Sequence, residues 1–235
     1  MAAERTKNTA LVLFTRSARE EALAKDFSDV HRFQTNRLIA EELISHAEKV
    51  ARQSTLPLFI YGTEKQSGNN FGEKLAHAFT SVYALGFENV IAIGNDCPDL
   101  TPEELLVAAH QLNTSEAVLG PDKKGGLYLI GLNRSCFDAA AFEQLPWESE
   151  RVATTFIQAL QAKQTNIFIC DQKADVDTHN ELVTLLSAGL HTLRLQIKLL
   201  SLLASCGFRR VMFNNAFISS GYFIFSSLRA PPAAS

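Results

Sequence analysis

The stretch from Asn89 to Glu104 (NVIAIGNDCPDLTPEE) constrains the fold most, because it combines a buried strand, a polar loop and the start of a helix. The segment Val90–Ile93 is apolar at every position, which is typical of a central strand in a parallel sheet that is covered on both faces. Thr101 is placed to cap the following helix, with Pro102 at its first position and Glu104 completing a capping box. This order of strand, loop and helix predicts an α/β protein.

Two carboxylates in this loop are the first candidate site residues. Asp96 lies just past the end of the predicted strand, and Asp99 comes three positions later. Open α/β sheets bind their ligands in the crevice at the carboxyl ends of their strands. We therefore predict a catalytic role for Asp96 and Asp99. The alternative is an ordinary loop whose acidic residues only help to start the next helix.

Other apolar segments alternate with amphipathic ones along the chain and predict an α/β fold with a mostly parallel sheet. The predicted strands are Leu11–Phe14, Leu58–Tyr61, Val90–Ile93, Ala117–Leu119, Leu127–Ile130 and Ile167–Cys170. The predicted helices are Arg37–Arg52, Leu75–Val82, the segment after Thr101, Val152–Leu160 and Thr178–Leu186. The strands on either side of Gly125 and Gly126 predict a hairpin or a bent edge pair, in which the two glycines allow a ligand to approach the backbone.

A basic segment, Thr15–Arg19, follows the first predicted strand directly. We predict a loop there, in which Arg16 and Arg19 are placed at the carboxyl end of the strand to bind phosphate groups. The segment contains no glycine, so its backbone is not expected to wrap a phosphate as a glycine-rich loop does. A solvated basic loop without a ligand is the alternative interpretation.

A second acidic segment, Ala174–Thr178, follows the last predicted strand and contains Asp177. Asp96 and Asp177 both lie just past strands of the same predicted sheet, so they can converge on one crevice. Hard divalent cations prefer carboxylate oxygens and commonly share their coordination with substrate phosphates. The two residues therefore predict a site for Mg²⁺ or Mn²⁺.

The only tryptophan of the chain, Trp147, precedes a predicted helix. Its indole ring could stack on the base or the sugar of a substrate, or it could pack into the core. We favour core packing, and substrate binding is the alternative interpretation.

Composition and charge exclude several classes of protein. A formal net charge of −3 argues against a general nucleic-acid binder, which needs a basic face. The four cysteines are far apart and form no Cys-x-x-Cys pair, which indicates reduced thiols rather than a disulfide framework or a zinc site. The amino-terminal segment has too short an apolar run for a signal peptide, and we therefore expect a cytoplasmic protein.

The sequence changes character near residue 188, so we expect a domain of residues 1–188 followed by a C-terminal extension of residues 189–235. The extension begins with an apolar helix predicted over His191–Cys206, contains no acidic residue and carries five basic ones. Its aromatic segment, Val211–Leu228, is shorter than the roughly 20 apolar residues of a membrane span, and we exclude a span. Docking on the acidic domain, homo-oligomer packing and peripheral contact with an anionic membrane surface remain open.

Five sequence blocks, taken together, resemble a bacterial family classed with the nucleotide-diphospho-sugar transferases, which includes the glycosyltransferases assigned to arsenosugar biosynthesis. The blocks are FGEKLAHAF, IGNDCPDLTPEEL, VLGPDKKGGLYLIGL, LPWESERV and DVDTHNEL. The resemblance covers roughly Leu11 to Leu186, and the block around Asp96 is the most specific. It implies a GT-A fold, a Rossmann-like α/β/α sandwich that binds a sugar nucleotide at the carboxyl edge of its sheet.

The resemblance also implies roles for individual residues. Asp96 matches the acidic residue that holds the divalent metal bridging the diphosphate, and Asp177 matches a later acidic residue that completes the metal site. Asp99 is implied to be a nearby second carboxylate. Gly125 and Gly126 are implied to line the acceptor side.

The chain departs from the family pattern at two places near the expected phosphates. The family carries a glycine-containing Lys-Thr-Arg loop after the first strand, where this chain has SAREEALAKDF. Arg16, Arg19 and Lys25 are candidate replacements for that loop. Lys124 stands before the paired glycines, where the family carries an acidic residue, so it removes a carboxylate and adds a positive charge near the phosphates.

These features favour a metal-dependent glycosyltransferase that uses a nucleotide-diphospho-sugar donor and a small-molecule acceptor. The metal would neutralise the charge of the leaving nucleoside diphosphate. A nucleotidyltransferase of the same fold, which would release pyrophosphate, is one alternative. The other is a non-catalytic protein that binds sugar nucleotides, which Lys124 and the altered first loop favour.

Overall fold

Every apolar segment that the sequence predicts as a strand forms a strand, and together they build a six-stranded sheet. The computed structural model describes residues 8–28 and 32–205. The strands are β1 (Thr9–Phe14), β2 (Leu58–Tyr61), β3 (Asn89–Ile93), β4 (Ala117–Pro121), β5 (Leu127–Asn133) and β6 (Ile167–Ile169). The described helices are α1 (Ala18–Ala24), α2 (Phe33–Gln53), α3 (Phe71–Ala84), α4 (Pro102–Gln111), α5 (Ala139–Glu143), α6 (Val152–Ala162), α7 (His179–Ala188) and α8 (Leu193–Ser205), with a short 3-10 helix at Thr63–Lys65.

The strands follow the order β2-β1-β3-β5-β4-β6 across the sheet. They all run in one direction except β5, which pairs antiparallel with both β3 and β4. The predicted hairpin of β4 and β5 is confirmed, but it lies inside the sheet rather than at its edge, because β6 pairs with the other side of β4. The carboxyl ends of β1, β3, β4 and β6 consequently lie at one edge of the sheet.

Both faces of the sheet are buried, which explains why its strands are continuously apolar. Successive side chains of a strand point to opposite faces. Val12 therefore joins the core beneath α3 and α6, while Leu11 and Leu13 join the core beneath α2 and α4. The predicted α/β class with a mostly parallel sheet is confirmed.

The predicted helix caps at Thr101 and Thr178 are also confirmed. Each threonine side chain accepts a hydrogen bond from the backbone N–H three residues later, and Glu104 and Glu181 complete the two capping boxes. These caps start α4 and α7 immediately after loops that leave the carboxyl edge of the sheet. Local capping chemistry therefore sets the lengths of the loops that carry Asp96 and its neighbours.

The segment after β1 differs from the predicted basic loop, because helix α1 begins there at Ala18. Ser17 caps this helix by accepting a hydrogen bond from the Glu20 N–H, and the Glu20 side chain accepts one from the Ser17 N–H. This Ser-x-x-Glu spacing is a capping box, which the basic residues beside it obscure in the sequence. Helix α2 also begins earlier than predicted, at Phe33 rather than Arg37.

A third apolar cluster joins helix α8 to the rest of the domain. Leu195, Leu199 and Leu203 of α8 are buried in one cluster with Ile39 and Leu43 of α2. The described part of the predicted C-terminal extension therefore packs on the domain. Residues 206–235, which include the aromatic segment, lie outside the described residues, and the domain boundary at residue 188 stays a prediction.

Within residues 8–28 and 32–205, no helix is long and apolar enough to cross a membrane. Cys97, Cys136 and Cys170 are free thiols, as the sequence predicts. Burial raises the pKa of Cys170 to about 11, so this thiol is not a reactive thiolate at neutral pH. The fourth cysteine, Cys206, lies outside the described part of the chain.

Candidate active site

The carboxyl ends of β1, β3 and β4 and the loop after β6 surround a cleft of about 690 Å³. Strand β1 lies between β2 and β3 in the sheet. The chain therefore continues from β1 to β2 on one side of β1 and then to β3 on its other side. Such a switch point is where open α/β sheets bind ligands. A hydrogen bond of 2.8 Å from Thr15 Oγ1 to Asn95 Oδ1 joins the loops after β1 and β3 at this point.

Lys25 lies among the charged groups of this cleft, although its side chain is only 9% exposed. Its Nζ contacts Asp96 Oδ1, and it lies 3.0 Å from Asp177 Oδ1 and 3.2 Å from Glu21 Oε2. The three carboxylates come from three places in the chain: the loop after β3, the loop before α7, and α1. Burial would lower the pKa of Lys25, but the surrounding carboxylates outweigh burial and raise it, so the side chain is cationic at neutral pH.

Lys124 is the second cation of this network and is more accessible, with 37% of its side chain exposed. Its Nζ contacts Asp177 Oδ2 and lies 3.2 Å from Glu181 Oε1. Asp177 therefore has one ammonium group on each carboxylate oxygen. Burial alone would raise the pKa of Asp177, but Lys25 and Lys124 outweigh that effect and lower it below its usual value.

A second pair of carboxyl groups, Asp122 and Asp175, lines another part of the cleft. Asp122 is buried and accepts hydrogen bonds from the N–H groups of Lys124 at 2.6 Å and Gly126 at 2.8 Å. Burial, a side-chain hydrogen bond to Asp122 and the charge of Asp96 raise the pKa of Asp175 to about 8. This pair therefore holds a proton at neutral pH.

Five residues of these two networks were not among the sites predicted from the sequence. Lys25 was named only as a candidate replacement in the first loop, and Asp122, Asp175, Glu21 and Glu181 were given no role. Asp122 and Asp175 could have been found, because they follow β4 and β6 at the same sheet edge. Glu21 gave no signal, because an acidic residue in a short helix is ordinarily exposed, and here it is 3% exposed.

Six of the nine predicted site residues line the cleft and three do not. Those in the cleft are Arg16, Asp96, Lys124, Gly126, Trp147 and Asp177. Those outside it are Arg19, Asp99 and Gly125. Arg19 is exposed on α1, because the capping box turns the predicted loop into helix at that point.

Asp99 lies on another side of the loop after β3, in a small pocket between α2 and the start of α8. Its Oδ1 is 3.5 Å from His191 Nε2, and its backbone carbonyl accepts a hydrogen bond from Lys173 Nζ at 3.0 Å. Beside it, His46 Nε2 hydrogen-bonds the Pro98 carbonyl at 2.9 Å. This geometry gives Asp99 a part in holding the loop rather than a place beside the cleft carboxylates.

The paired glycines are required by packing inside the protein. Gly125 has a φ of +90°, and a Cβ at this position would overlap the backbone carbonyl of Glu150. A Cβ on Gly126 would overlap the carboxylate of Asp122. The absence of side chains at these two positions therefore lets the hairpin pack against Glu150 and Asp122. Gly126 lines the cleft, and its role on the acceptor side stays a prediction.

Arg16 and Trp147 form part of the cleft wall. Arg16 Nη2 pairs with Glu148 Oε1 at 3.3 Å, and both side chains are exposed. Trp147 donates a hydrogen bond from Nε1 to the Phe142 carbonyl at 2.8 Å, and its ring centroid lies 4.8 Å from that of Phe142 and 5.4 Å from that of Phe71. Trp147 thus packs on the core, as favoured from the sequence, and also borders the cleft.

The predicted metal ligands converge, but they converge on an ammonium group. Asp96 and Asp177 both contact Lys25 Nζ, so their facing oxygens are occupied by Lys25. Among the residues that the structure describes, no group of three or more His, Cys, Asp or Glu side chains is arranged to hold a metal ion. The residues present therefore do not fit a divalent cation while Lys25 is in place.

A family model described as "Uncharacterized protein conserved in bacteria" (DUF2064) matches residues 30–149, just over half of the 235 residues. The chain belongs to the DUF2064 family. This result, together with the structural likeness described next, confirms the family resemblance of the sequence blocks. A search of curated proteins finds no significant match to the DUF2064 chain.

The chain resembles a crystal structure from Desulfovibrio desulfuricans G20 that is provisionally named a nucleotide-diphospho-sugar transferase. The two share 18% sequence identity with a TM-score of 0.75, and the alignment covers 85% of this chain and 98% of that protein. A homologue of Rv0371c from Mycobacterium sp. strain JC1 has a TM-score of 0.46 at 11% identity, covering 83% and 98%. A cytidylyltransferase from Leptospira borgpetersenii has a TM-score of 0.41 at 13% identity, covering 85% and 94%. The first likeness shows the shared fold, and the other two are too distant to inform the site.

The family match covers only part of the cleft. Residues 30–149 include Asp96, Asp122 and Lys124, whereas Lys25 and Asp177 lie outside this range. The match to the DUF2064 model therefore leaves out both partners of the Lys25–Asp177 ion pair, which only the tertiary structure brings together with Asp96.

Proposed function

We propose that this DUF2064 protein is a transferase that binds a nucleotide-diphospho-sugar in the cleft and transfers the sugar to a small-molecule acceptor. The proposal rests on the cationic groups at the switch point of the sheet, where Arg16, Lys25, Lys74 and Lys124 line one cleft. Arginine and lysine are the usual partners of phosphate groups. The fold shared with the protein from D. desulfuricans, and the name of that protein, support this class of donor.

Within the cleft, Lys124 and Arg16 are the proposed contacts of the diphosphate, because both are more exposed than Lys25. In the transfer, an acceptor hydroxyl forms a bond to the sugar and gives up its proton, while the bond from the sugar to the diphosphate breaks and the diphosphate leaves with that electron pair. Negative charge then develops on the leaving diphosphate, and fixed cations stabilise it. We place the acceptor near Gly126 and Trp147, which line the same cleft.

The need for Mg²⁺ or Mn²⁺ that the sequence predicted is tested separately, because the position of Lys25 argues against it. Asp96 and Asp177 supply the carboxylate oxygens that such ions prefer, but Lys25 lies between them. Binding is therefore measured both with and without metal.

The first experiment is a thermal-shift screen of nucleoside diphosphates and sugar nucleotides. A ligand at about 100 times its Kd stabilises a protein by about 2.7 kcal/mol, and a chain of this size gains about 2–4 °C in Tm for each kcal/mol. We expect Arg16→Gln to weaken binding of the responding nucleotide by about tenfold, because it removes one charge-assisted phosphate contact. The matched control is Arg52→Gln, which removes an arginine from the exposed Arg52–Glu48 pair of α2.

No shift with any nucleotide, or an equal loss of affinity in the two arginine variants, would contradict the proposed binding site. Turnover then separates the proposed activity from its alternatives. A glycosyltransferase releases a nucleoside diphosphate, whereas a nucleotidyltransferase releases pyrophosphate. Tight binding without either product, across a broad acceptor screen, would identify a non-catalytic sugar-nucleotide-binding protein.

A further inference from the structure

We infer that Lys25 is the built-in cation of this cleft, an ammonium group that takes the place of a divalent ion between Asp96 and Asp177. The protein then binds its nucleoside-diphosphate ligand without metal, a consequence that rests on the proposed function. Removal of Lys25 creates a metal site that the wild-type protein lacks, and this consequence holds whatever the ligand is.

The ammonium group of Lys25 is surrounded by carboxylates. Its Nζ donates a hydrogen bond to Asp96 Oδ1 and lies within ion-pair distance of Asp177 and Glu21. The charge of Lys25 is therefore balanced by groups of the protein itself. A divalent ion in the same position would compete for the same oxygens, because hard cations are also bound by carboxylates.

The backbone on both sides of Lys25 is held by hydrogen bonds. The Lys25 N–H donates to the Glu21 carbonyl at 2.8 Å, and the Lys25 carbonyl accepts from Asn36 Nδ2 at 3.2 Å. The next residue, Asp26, donates its N–H to the Asp177 carbonyl at 3.2 Å. Lys25 is thus tied to α1, to α2 and to the loop that carries one of its acidic partners, and this anchoring places its ammonium group between Asp96 and Asp177.

Charge explains why a cation is needed at this position. Three carboxylates facing one another would repel a diphosphate, and the repulsion is strong where water is partly excluded. Lys25 offsets part of the charge of Asp96 and Asp177, and Lys124, which pairs with Asp177 and Glu181 but is 37% exposed, is the cation that faces the ligand. Because the Lys25 side chain is only 9% exposed and pairs with these carboxylates, it acts on the ligand through them and is a positioning residue.

Binding of Mn²⁺, measured by electron paramagnetic resonance without nucleotide, tests the occupant of the site. We expect no bound Mn²⁺ in the wild-type cleft at millimolar concentration, and clear binding by Lys25→Met, whose carboxylates have lost their ammonium. Adding Asp96→Asn to Lys25→Met should remove that binding. The matched control is Lys163→Met, which removes a lysine from the exposed pair with Asp138 and should behave as the wild type.

Two outcomes of the Mn²⁺ experiment would overturn the inference. One is wild-type binding that disappears in Asp96→Asn, and the other is a folded Lys25→Met that binds no Mn²⁺. If Lys25→Met does not fold, Glu21→Gln is added to it, which removes one uncompensated carboxylate and keeps Asp96 and Asp177. We expect this double variant to bind Mn²⁺, and its failure to do so would also overturn the inference.

Nucleotide affinity gives a second readout that a purely structural role would not change. The wild-type Kd for a nucleoside diphosphate should be the same in EDTA and in Mn²⁺. In Lys25→Met it should rise by about tenfold or more in EDTA and recover when Mn²⁺ is added. A wild-type affinity that disappears in EDTA would overturn the inference. A wild type that binds no nucleotide but shows the expected Mn²⁺ pattern would refute the proposed function and support the role of Lys25.

Discussion

Two pairs of aspartates in the same cleft carry their charge differently. Asp96 and Asp177 share the ammonium group of Lys25. Asp122 and Asp175 instead share a hydrogen bond and hold a proton. The pKa of Asp177 is lowered, while the pKa of Asp175, two positions earlier in the same loop, is raised to about 8.

The difference shows that the neighbours of a carboxyl group, rather than its place in the chain, decide its charge. Both aspartates are partly buried, which favours the neutral form of each. Lys25 and Lys124 reverse this effect for Asp177, and the carboxyl of Asp122 reinforces it for Asp175. The cleft consequently has one part in which lysines pair with carboxylates and another in which Asp175 holds a proton beside Asp122.

The largest effect is expected from Lys25→Met, which removes the cation of the charged pair. We expect the free energy of unfolding to fall by about 2–4 kcal/mol, because breaking a buried ion pair leaves unpaired charge and the partners here are partly exposed. Urea denaturation followed by circular dichroism measures this change. Lys163→Met, at an exposed ion pair, should lower the free energy of unfolding by less than about 1 kcal/mol. Equal losses of stability in the two variants would contradict the role given to Lys25.

The opposite sign is expected for Asp175→Asn, in the pair that holds a proton. Asp175 is protonated in the folded state up to about pH 8 and in the unfolded state only up to about pH 4, so its contribution to stability falls as pH rises between these values. Asparagine removes this dependence and keeps a donor for Asp122, so we expect a gain of about 1–2 kcal/mol at neutral pH. Asp171→Asn, at an exposed aspartate nearby, is the control and should change stability by less than about 0.5 kcal/mol.

For Asp175→Asn the measurement is a pair of urea titrations, one near pH 4 and one near neutral pH. The gain should be present at neutral pH and small near pH 4, where Asp175 is protonated in the folded state and about half protonated in the unfolded state. A loss of stability at both values would show that Asp175 is ionised in the folded protein and that the two pairs are alike.

A smaller effect is expected from Lys124→Gln, because this lysine is more exposed than Lys25. We expect a loss of about 0.5–1 kcal/mol in urea denaturation, within the range of exposed ion pairs. Lys123→Gln, at the exposed neighbouring lysine, should lose less and serves as the control. A loss as large as that of Lys25→Met would mean that Lys124, rather than Lys25, holds the charged pair together.

The smallest effect is expected outside the cleft, at His46 beside the loop of Asp99. Burial lowers the pKa of His46, and its hydrogen bond to the Pro98 carbonyl opposes this only in part. The unfolded state therefore takes up a proton first as pH falls through about 6.5, and stability is lost below that value. We expect a loss of about 0.5–1 kcal/mol between neutral pH and pH 5, and a flatter dependence in His46→Gln. An equal dependence in the variant would assign the loss to other groups.

Most of the fold could be predicted from the sequence because its determinants are local. A segment such as Val90–Ile93 is apolar at every position only when both faces of a strand are covered. The caps at Thr101 and Thr178 depend on side chains three residues apart. The position of β5 between β3 and β4 was not predicted, because strand order depends on pairing between distant segments.

The candidate site was predicted less completely. Asp96 and Asp177 could be placed because each follows a strand at the carboxyl edge, and the structure brings both to the cleft. Asp99 lies in the same loop as Asp96 but on another side of it, and no spacing in the sequence separates the two. Arg19 lies on helix α1 rather than in the expected loop, because Ser17 caps a helix there.

The sequence by itself determined the strands, the capped starts of α4 and α7 and the presence of acidic residues at one edge of the sheet, since these follow from patterns within a few residues. Only the tertiary structure decided that Lys25 meets Asp96, 71 positions away, and that Lys124 meets Asp177, 53 positions away. The charge of each carboxyl group depends on such distant partners and on the loss of water around them. For that reason the same residue type is a lysine-bound anion at Asp177 and a proton carrier at Asp175.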